Sequence, residues 1–293
     1  MTSAPGASTS ASSREVRNVI TFGGRSALLL FIATVLGLVA FFWPFLLHAE
    51  GTMNAAHASD APWIFVMLLP LLLAIVLAEV AEGALDTKAV ALLGVLAACG
   101  TALRLPGGVT GFEPVFFLLL PAGRVLGKGF GFVLGALTLF ASALITGGVG
   151  PWLPFQMFGA GWVGFLAGCL PRAAGRRELL LLATYGALAG LAYGFLLNLW
   201  FWPFGSETGS QIAFVEGAPL LDNIRRYWGF YLATSLGWDI PRAVGNFVLV
   251  LVAGRPIINA LRRVSRRAAF GVAVEFAPAM PNAPAPTPEV LSP

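Results

Sequence analysis

Apolar residues in this chain gather in long runs, with polar residues confined to the gaps between them. The runs fall at about 26–47, 63–82, 88–103, 113–126, 129–146, 154–170, 179–200 and 228–254. A helix that is apolar all round is buried on every side, either in a large core or in lipid. About 20 apolar residues cross a bilayer, with a range of roughly 17–25. Most of the runs meet that length, so the pattern predicts a bundle of membrane helices. The runs at 88–103 and 113–126 are short. Pro114 and Pro121 interrupt the second, which is therefore expected to span only partway or with a kink.

The ends of the chain behave differently. Residues 1–24 are rich in Ser, Ala and Thr, and residues 264–293 carry Pro278, Pro281, Pro284, Pro286 and Pro288. Neither composition builds a core, and both segments read as disordered tails. The run at 26–47 follows basic residues, as the apolar part of a signal peptide does. At over 20 residues it exceeds the 7–15 usual there, and it reads as a retained span, with cleavage the alternative.

Composition strengthens the membrane reading. Of 293 residues, 57% are hydrophobic and 11% charged, with a mean hydropathy of +0.82. Soluble domains carry about 25% charged residues. The net charge of +4 does not signal a nucleic-acid partner, because no basic stripe interleaves with aromatics. Instead the cations sort by topology. With the amino terminus in the cytoplasm and eight alternating spans, Arg14, Arg17, Arg25, Lys88, Arg124, Lys128, Arg172, Arg176, Arg177, Arg255, Arg262, Arg263, Arg266 and Arg267 fall inside, 14 of the 18. Arg104, Arg225 and Arg226 fall outside and Arg242 lies within the last span, so every inner loop obeys the positive-inside rule. Glu50, Asp60, Glu113, Glu207, Glu216 and Asp222 collect on the outer side. Cys99 and Cys169 sit alone in apolar runs and are expected to be buried thiols.

Glycine recurs every fourth residue at 127, 131 and 135, at 164 and 168, and at 186, 190 and 194. Such stripes let helices approach closely, and internal packing of the bundle accounts for them. Gly94, Ala98 and Ala102 form a comparable stripe on the third run, where a partner protein is a further reading.

Catalytic motifs are missing from the sequence. The stretch Gly123–Lys128 has the wrong spacing for a phosphate loop and reads as a corner between two helices. His48 and His57 both lie in the first external loop, and neither Gly-x-Ser-x-Gly nor His-Glu-x-x-His occurs. Glu79, Glu82 and Asp86 read as an interfacial charge cluster. The sequence therefore predicts no enzyme and calls for no cofactor or metal.

Candidate binding residues concentrate on the outer half. The loop 147–156 brings Trp152 and Gln156, and the last span opens with Trp228 and Tyr231. It then places Asp239, Arg242 and Asn246 at i, i+3 and i+7, on one helix face. Ionisable groups inside a membrane segment are costly and usually face a cavity or each other. Two readings stay open at this point: a structural ion pair, or a pocket for a flat, polar ligand with Trp152 or Trp228 stacking on its ring.

Several stretches together resemble the S components of energy-coupling factor (ECF) transporters. They are the small stripe Ala98/Ala102, Gly-Phe-Glu-Pro at 111–114 and the glycine-rich corner at 127–135. Gly-Pro-Trp-x-Pro-Phe-Gln at 150–156, Trp-Asp-Ile-Pro-Arg-Ala-Val-Gly-Asn at 238–246 and Gly-Arg-Pro at 254–256 complete the set. The sequence looks most like an actinobacterial branch near cobalamin-type S components. The resemblance implies an all-α membrane protein of the cell (cytoplasmic) membrane with both termini in the cytoplasm. Residues 88–263 would form the six-span substrate-binding core, and 25–87 would add two transmembrane helices in front of it. It implies capture of a vitamin outside, cobalamin being the first guess. It also implies a toppling motion while docked on a transmembrane coupling subunit driven by two ATPase subunits. The family's docking contact maps onto Ala98 and Ala102, and its substrate site onto 104–112, 147–156 and the last span. Rival readings are a self-sufficient secondary transporter, for which no inverted repeat is visible, and a membrane scaffold without a ligand.

Overall fold

A computed structural model describes residues 24–46, 87–105, 113–205 and 209–268. Among them the chain is helical, without strands. The helices are α1 (Gly24–Leu46), α2 (Thr87–Arg104), α3 (Val115–Leu126), α4 (Lys128–Thr146), α5 (Leu153–Cys169), α6 (Gly175–Gly205), α7 (Leu220–Phe230) and α8 (Leu236–Ala268). A π-helical stretch, Tyr231–Ser235, joins α7 to α8 into one continuous rod. The apolar run at 63–82 and the cluster Glu79, Glu82 and Asp86 lie outside the described residues.

Four helical stretches are long and apolar enough to cross a membrane: α2, α4, α6 and the α7–α8 rod. Helix α3 is the exception that its prolines foreshadowed. Its 12 residues rise only about 18 Å, and every one except Arg124 is buried. It is a short central plug wrapped by the longer helices. Pro121 costs little there because neighbouring helices enclose the freed backbone.

Glycine sets how closely the helices meet. A Cβ on Gly131 would come within 2.3 Å of the Gly164 carbonyl oxygen, and one on Gly135 within 2.3 Å of the Ala160 oxygen. These contacts lock α4 onto α5 backbone to backbone. Gly127 is no part of that stripe, because it forms the α3–α4 corner at φ 102°, where a side chain would be strained. The second stripe builds an antiparallel seam between α6 and α8. Gly194 meets Asp239, Gly190 meets Ala243 and Arg242, Gly186 meets Asn246, and from the other helix Gly254 meets Leu179. Internal packing therefore uses both stripes, as membrane helices without a hydrophobic driving force require.

Helix α2 divides cleanly into two faces. Ala89, Leu93, Leu96, Ala97, Gly100 and Thr101 are buried, whereas Gly94, Ala98 and Ala102 are exposed on the opposite side. The two cysteines overturn the expectation of buried thiols, since Cys99 and Cys169 are both exposed. In a membrane bundle the lipid-facing side is as apolar as the core, so an apolar run does not fix which side a residue takes.

Helix α1 leans on the core through aromatics. Trp43 donates its indole N–H to the Trp200 carbonyl (3.4 Å) and stacks on Phe204 at 5.6 Å between centroids. Phe45 touches Trp202 and Tyr227. The segment 209–219 closes over the same end of the bundle. Trp202 donates to the Ile212 carbonyl (2.7 Å), while the Asn223 amide both accepts from Val215 N–H and donates to its carbonyl.

Candidate functional site

Two buried charge clusters mark opposite ends of the α6–α8 seam. At one end Glu178, almost fully enclosed, accepts from Arg124 (3.0 Å) and from Arg262 (2.6 and 2.8 Å). The basic residues Arg263, Arg266 and Arg267 follow directly on α8. Sixteen residues along α6, or about 24 Å of helix, Gly194 marks the other cluster.

That second cluster is a triad. Arg242 donates its Nη1–H to Asp239 and its Nε–H to Glu113 at 2.7 Å. A further contact of 3.4 Å runs from Nη1 to the Gly190 carbonyl. Its guanidinium lies over the Tyr193 ring at 5.5 Å, in the geometry of a cation–π contact. Asn246 donates to the Arg242 carbonyl (2.9 Å). Asp239 is 2% exposed and Asn246 1%. The carboxylate fits only because Gly194 has no side chain: an added Cβ would stand 1.9 Å from Oδ1 and 2.1 Å from Oδ2.

The sequence put Asp239, Arg242 and Asn246 on one face, and the structure brings all three together. Glu113 and Tyr193 were not among the expected site residues. Glu113 carried half a signal, since a carboxylate at the mouth of an apolar helix must find a cation but its position does not say which. Tyr193 carried none beyond its place in a glycine-rich stripe.

A cleft of about 390 Å³ opens beside the triad, between α6 and the junction of the π-helical stretch with α8. Asp239 and Arg242 form its floor, Asn198, Thr234 and Ser235 its polar wall, and Phe201, Phe230 and Trp238 its aromatic wall. The π-helical stretch supplies the two hydroxyls, and such irregular turns concentrate at functional sites. Within this wall Thr234 Oγ1 donates to the Phe230 carbonyl (2.7 Å) and lies 3.1 Å from the Ser235 hydroxyl. Asp239 Oδ2 and Asn246 Oδ1 are buried without a hydrogen-bond partner among the described residues. Buried polar atoms left this way are costly and call for an explanation.

Of the remaining expected residues, Tyr231 brings its hydroxyl up to Asp239 and the others sit elsewhere. Tyr231 is buried in the aromatic cluster with Phe195 and Tyr227, and Trp228 packs on its exposed edge. Trp152 is 44% exposed and donates to the Gly148 carbonyl (3.0 Å), capping its own loop. Gln156 accepts from Arg104 (2.8 Å), which also donates to Ser142 (3.2 Å). These three form a second polar cluster on α2, α4 and α5. None of Trp152, Gln156, Trp228, Tyr231 and Asn246 lines the 390 Å³ cleft.

The comparisons with known proteins bear on the same part of the chain. No curated protein and no solved structure matches it. The sequence model of one family, described as "ECF transporter, substrate-specific component", matches residues 88–254. That span runs from the start of α2 to the middle of α8, contains both charge clusters except Arg262, and exceeds half of the chain. Helix α1 lies outside it. This chain therefore belongs to the ECF transporter substrate-specific component family.

Proposed function

We propose that the protein is the substrate-capture subunit of a primary active vitamin importer in the cell membrane, binding its ligand at the outer face in the cleft beside Asp239. The observation that carries this reading is the Asp239–Arg242–Glu113 triad, whose buried members Asp239 and Arg242 form the floor of a cleft inside the family-matched core. The positive-inside rule puts the Glu178–Arg262 end and both termini in the cytoplasm, and the triad then lies about 24 Å higher, near the outer edge of a ~30 Å hydrocarbon core. The span count that goes with this topology is eight, two spans ahead of a six-span core at 88–263. A volume of about 390 Å³ suits a compact ligand, since small-molecule pockets run about 300–1,000 Å³, and a corrinoid is large for it. Trp152, Gln156 and Trp228 then belong to the surrounding outer surface, and Tyr231 is buried behind the floor beside Asp239.

Delivery depends on partners. Ala98 and Ala102, exposed on α2 beside Gly94, offer a flat strip on which a transmembrane coupling subunit can dock, with two ATPase subunits supplying energy. Substrate-dependent uptake by cells should need all of these subunits. Ala98→Trp should abolish that uptake while the purified variant still folds and keeps its ligand, identified by mass spectrometry of co-purifying small molecules. Concentrative uptake by the purified chain alone in liposomes, driven by an ion gradient, would overturn the proposal in favour of a secondary transporter.

A further inference from the structure

The charge balance of the cleft names the class of ligand. Two carboxylates, Asp239 and Glu113, contact a single guanidinium, so the triad carries a net charge of −1. Buried charge that is not fully paired is destabilising in low dielectric. Asp239, 2% exposed, lines the cleft, and its Oδ2 is buried against Gly194 with no hydrogen-bond partner among the described residues.

The rest of the lining is rich in acceptors. The Asn198 amide spends its N–H on the Gly194 carbonyl (2.8 Å), leaving its oxygen to accept. The Thr234 hydroxyl donates its proton to the Phe230 carbonyl and keeps its lone pairs. Arg242, the strongest donor present, has Nε and Nη1 committed to the two carboxylates. Phe201, Phe230 and Trp238 add ring faces, which attract cations and repel anions.

Resting on the proposed outer site, we infer that the ligand is a compact, ring-containing molecule with a cationic or amidine-like nitrogen, which is drawn to the excess negative charge at the Asp239 end of the cleft while its ring packs against Trp238 or Phe201. A carboxylate-bearing ligand meets the wrong charge, and a corrinoid exceeds the cleft.

The test uses the full chain in lipid nanodiscs and three classes of probe. Thiamine stands for cationic rings, biotin and nicotinate for carboxylates, and cyanocobalamin for corrinoids. Thermal shift and calorimetric titration should find binding by thiamine or another cationic-ring probe, with no response to the carboxylates or the corrinoid. Asp239→Asn, which leaves the Arg242–Glu113 pair in place, should weaken that binding at least tenfold. Thr234→Trp, which fills the cleft from an exposed wall position outside the triad, should weaken it likewise. Binding of a carboxylate or of cyanocobalamin that Thr234→Trp removes would keep the site and overturn the ligand class. Binding of any probe that neither variant alters would overturn the site itself. No shift with any cationic ring would overturn the inference.

Discussion

Arg242 holds three elements at one point, reaching Glu113 at the mouth of α3, Asp239 on its own helix and the Gly190 carbonyl on α6. Its removal leaves two carboxylates facing each other in a dry environment. Arg242→Gln should therefore destabilise the fold by about 3–5 kcal/mol, the usual cost of stranding a buried charge. Asp239→Asn should cost less, about 1–3 kcal/mol, because Arg242 keeps Glu113. The double variant Asp239→Asn/Arg242→Gln does not restore balance, since Glu113 stays charged and alone. Adding Glu113→Gln to it should recover most of the lost stability. Melting midpoints of the four proteins in detergent check the order: single Arg242 variant lowest, triple variant above the double.

At the scale of helices, small residues do two jobs that the sequence writes in the same way. Gly194 is pressed against a carboxylate, whereas a Cβ on Gly94 meets nothing within 4 Å. Gly194→Ala should thus displace Asp239, lower the melting point and weaken ligand retention, while Gly94→Ala should leave both unchanged. Limited proteolysis and ligand retention on purified protein separate the two. Periodicity alone made most of the helices legible, because a membrane span needs a long apolar run whatever it packs against. It also placed Asp239, Arg242 and Asn246 on one face. It missed what depends on neighbours distant in sequence. Glu113 stands 129 residues from Arg242, and nothing local announces that pairing. The π-helical turn at 231–235 was hidden as well, since Tyr-Leu-Ala-Thr-Ser is an ordinary helical stretch and only its packing distorts it. Trp152 and Gln156 were grouped with Asp239 by depth alone. Depth does not say which side of a bundle a residue occupies, and they lie with α2, α4 and α5 instead.

For the whole molecule, the α6–α8 seam joins two clusters of opposite sign. The triad near the proposed outer face sums to −1, and Arg124, Arg262 and Glu178 at the proposed cytoplasmic end sum to +1. Glu113 and Arg124 supply the two excess charges from opposite ends of α3, which packs against both helices of the seam, so the two clusters cannot change depth independently. In the proposed topology the two clusters therefore form an electric dipole aligned with the resting field of a cell, negative charge outside and positive within. Tipping the rod until both ends share one depth carries the equivalent of about one elementary charge through that field, work of roughly 2.3 kcal/mol per 100 mV. The toppling that the family resemblance implies should accordingly run faster in depolarised vesicles than in polarised ones at equal ATP. Neutralising the outer excess with a bound cation should reduce that voltage dependence, so that a loaded subunit turns against a smaller electrical load than an empty one.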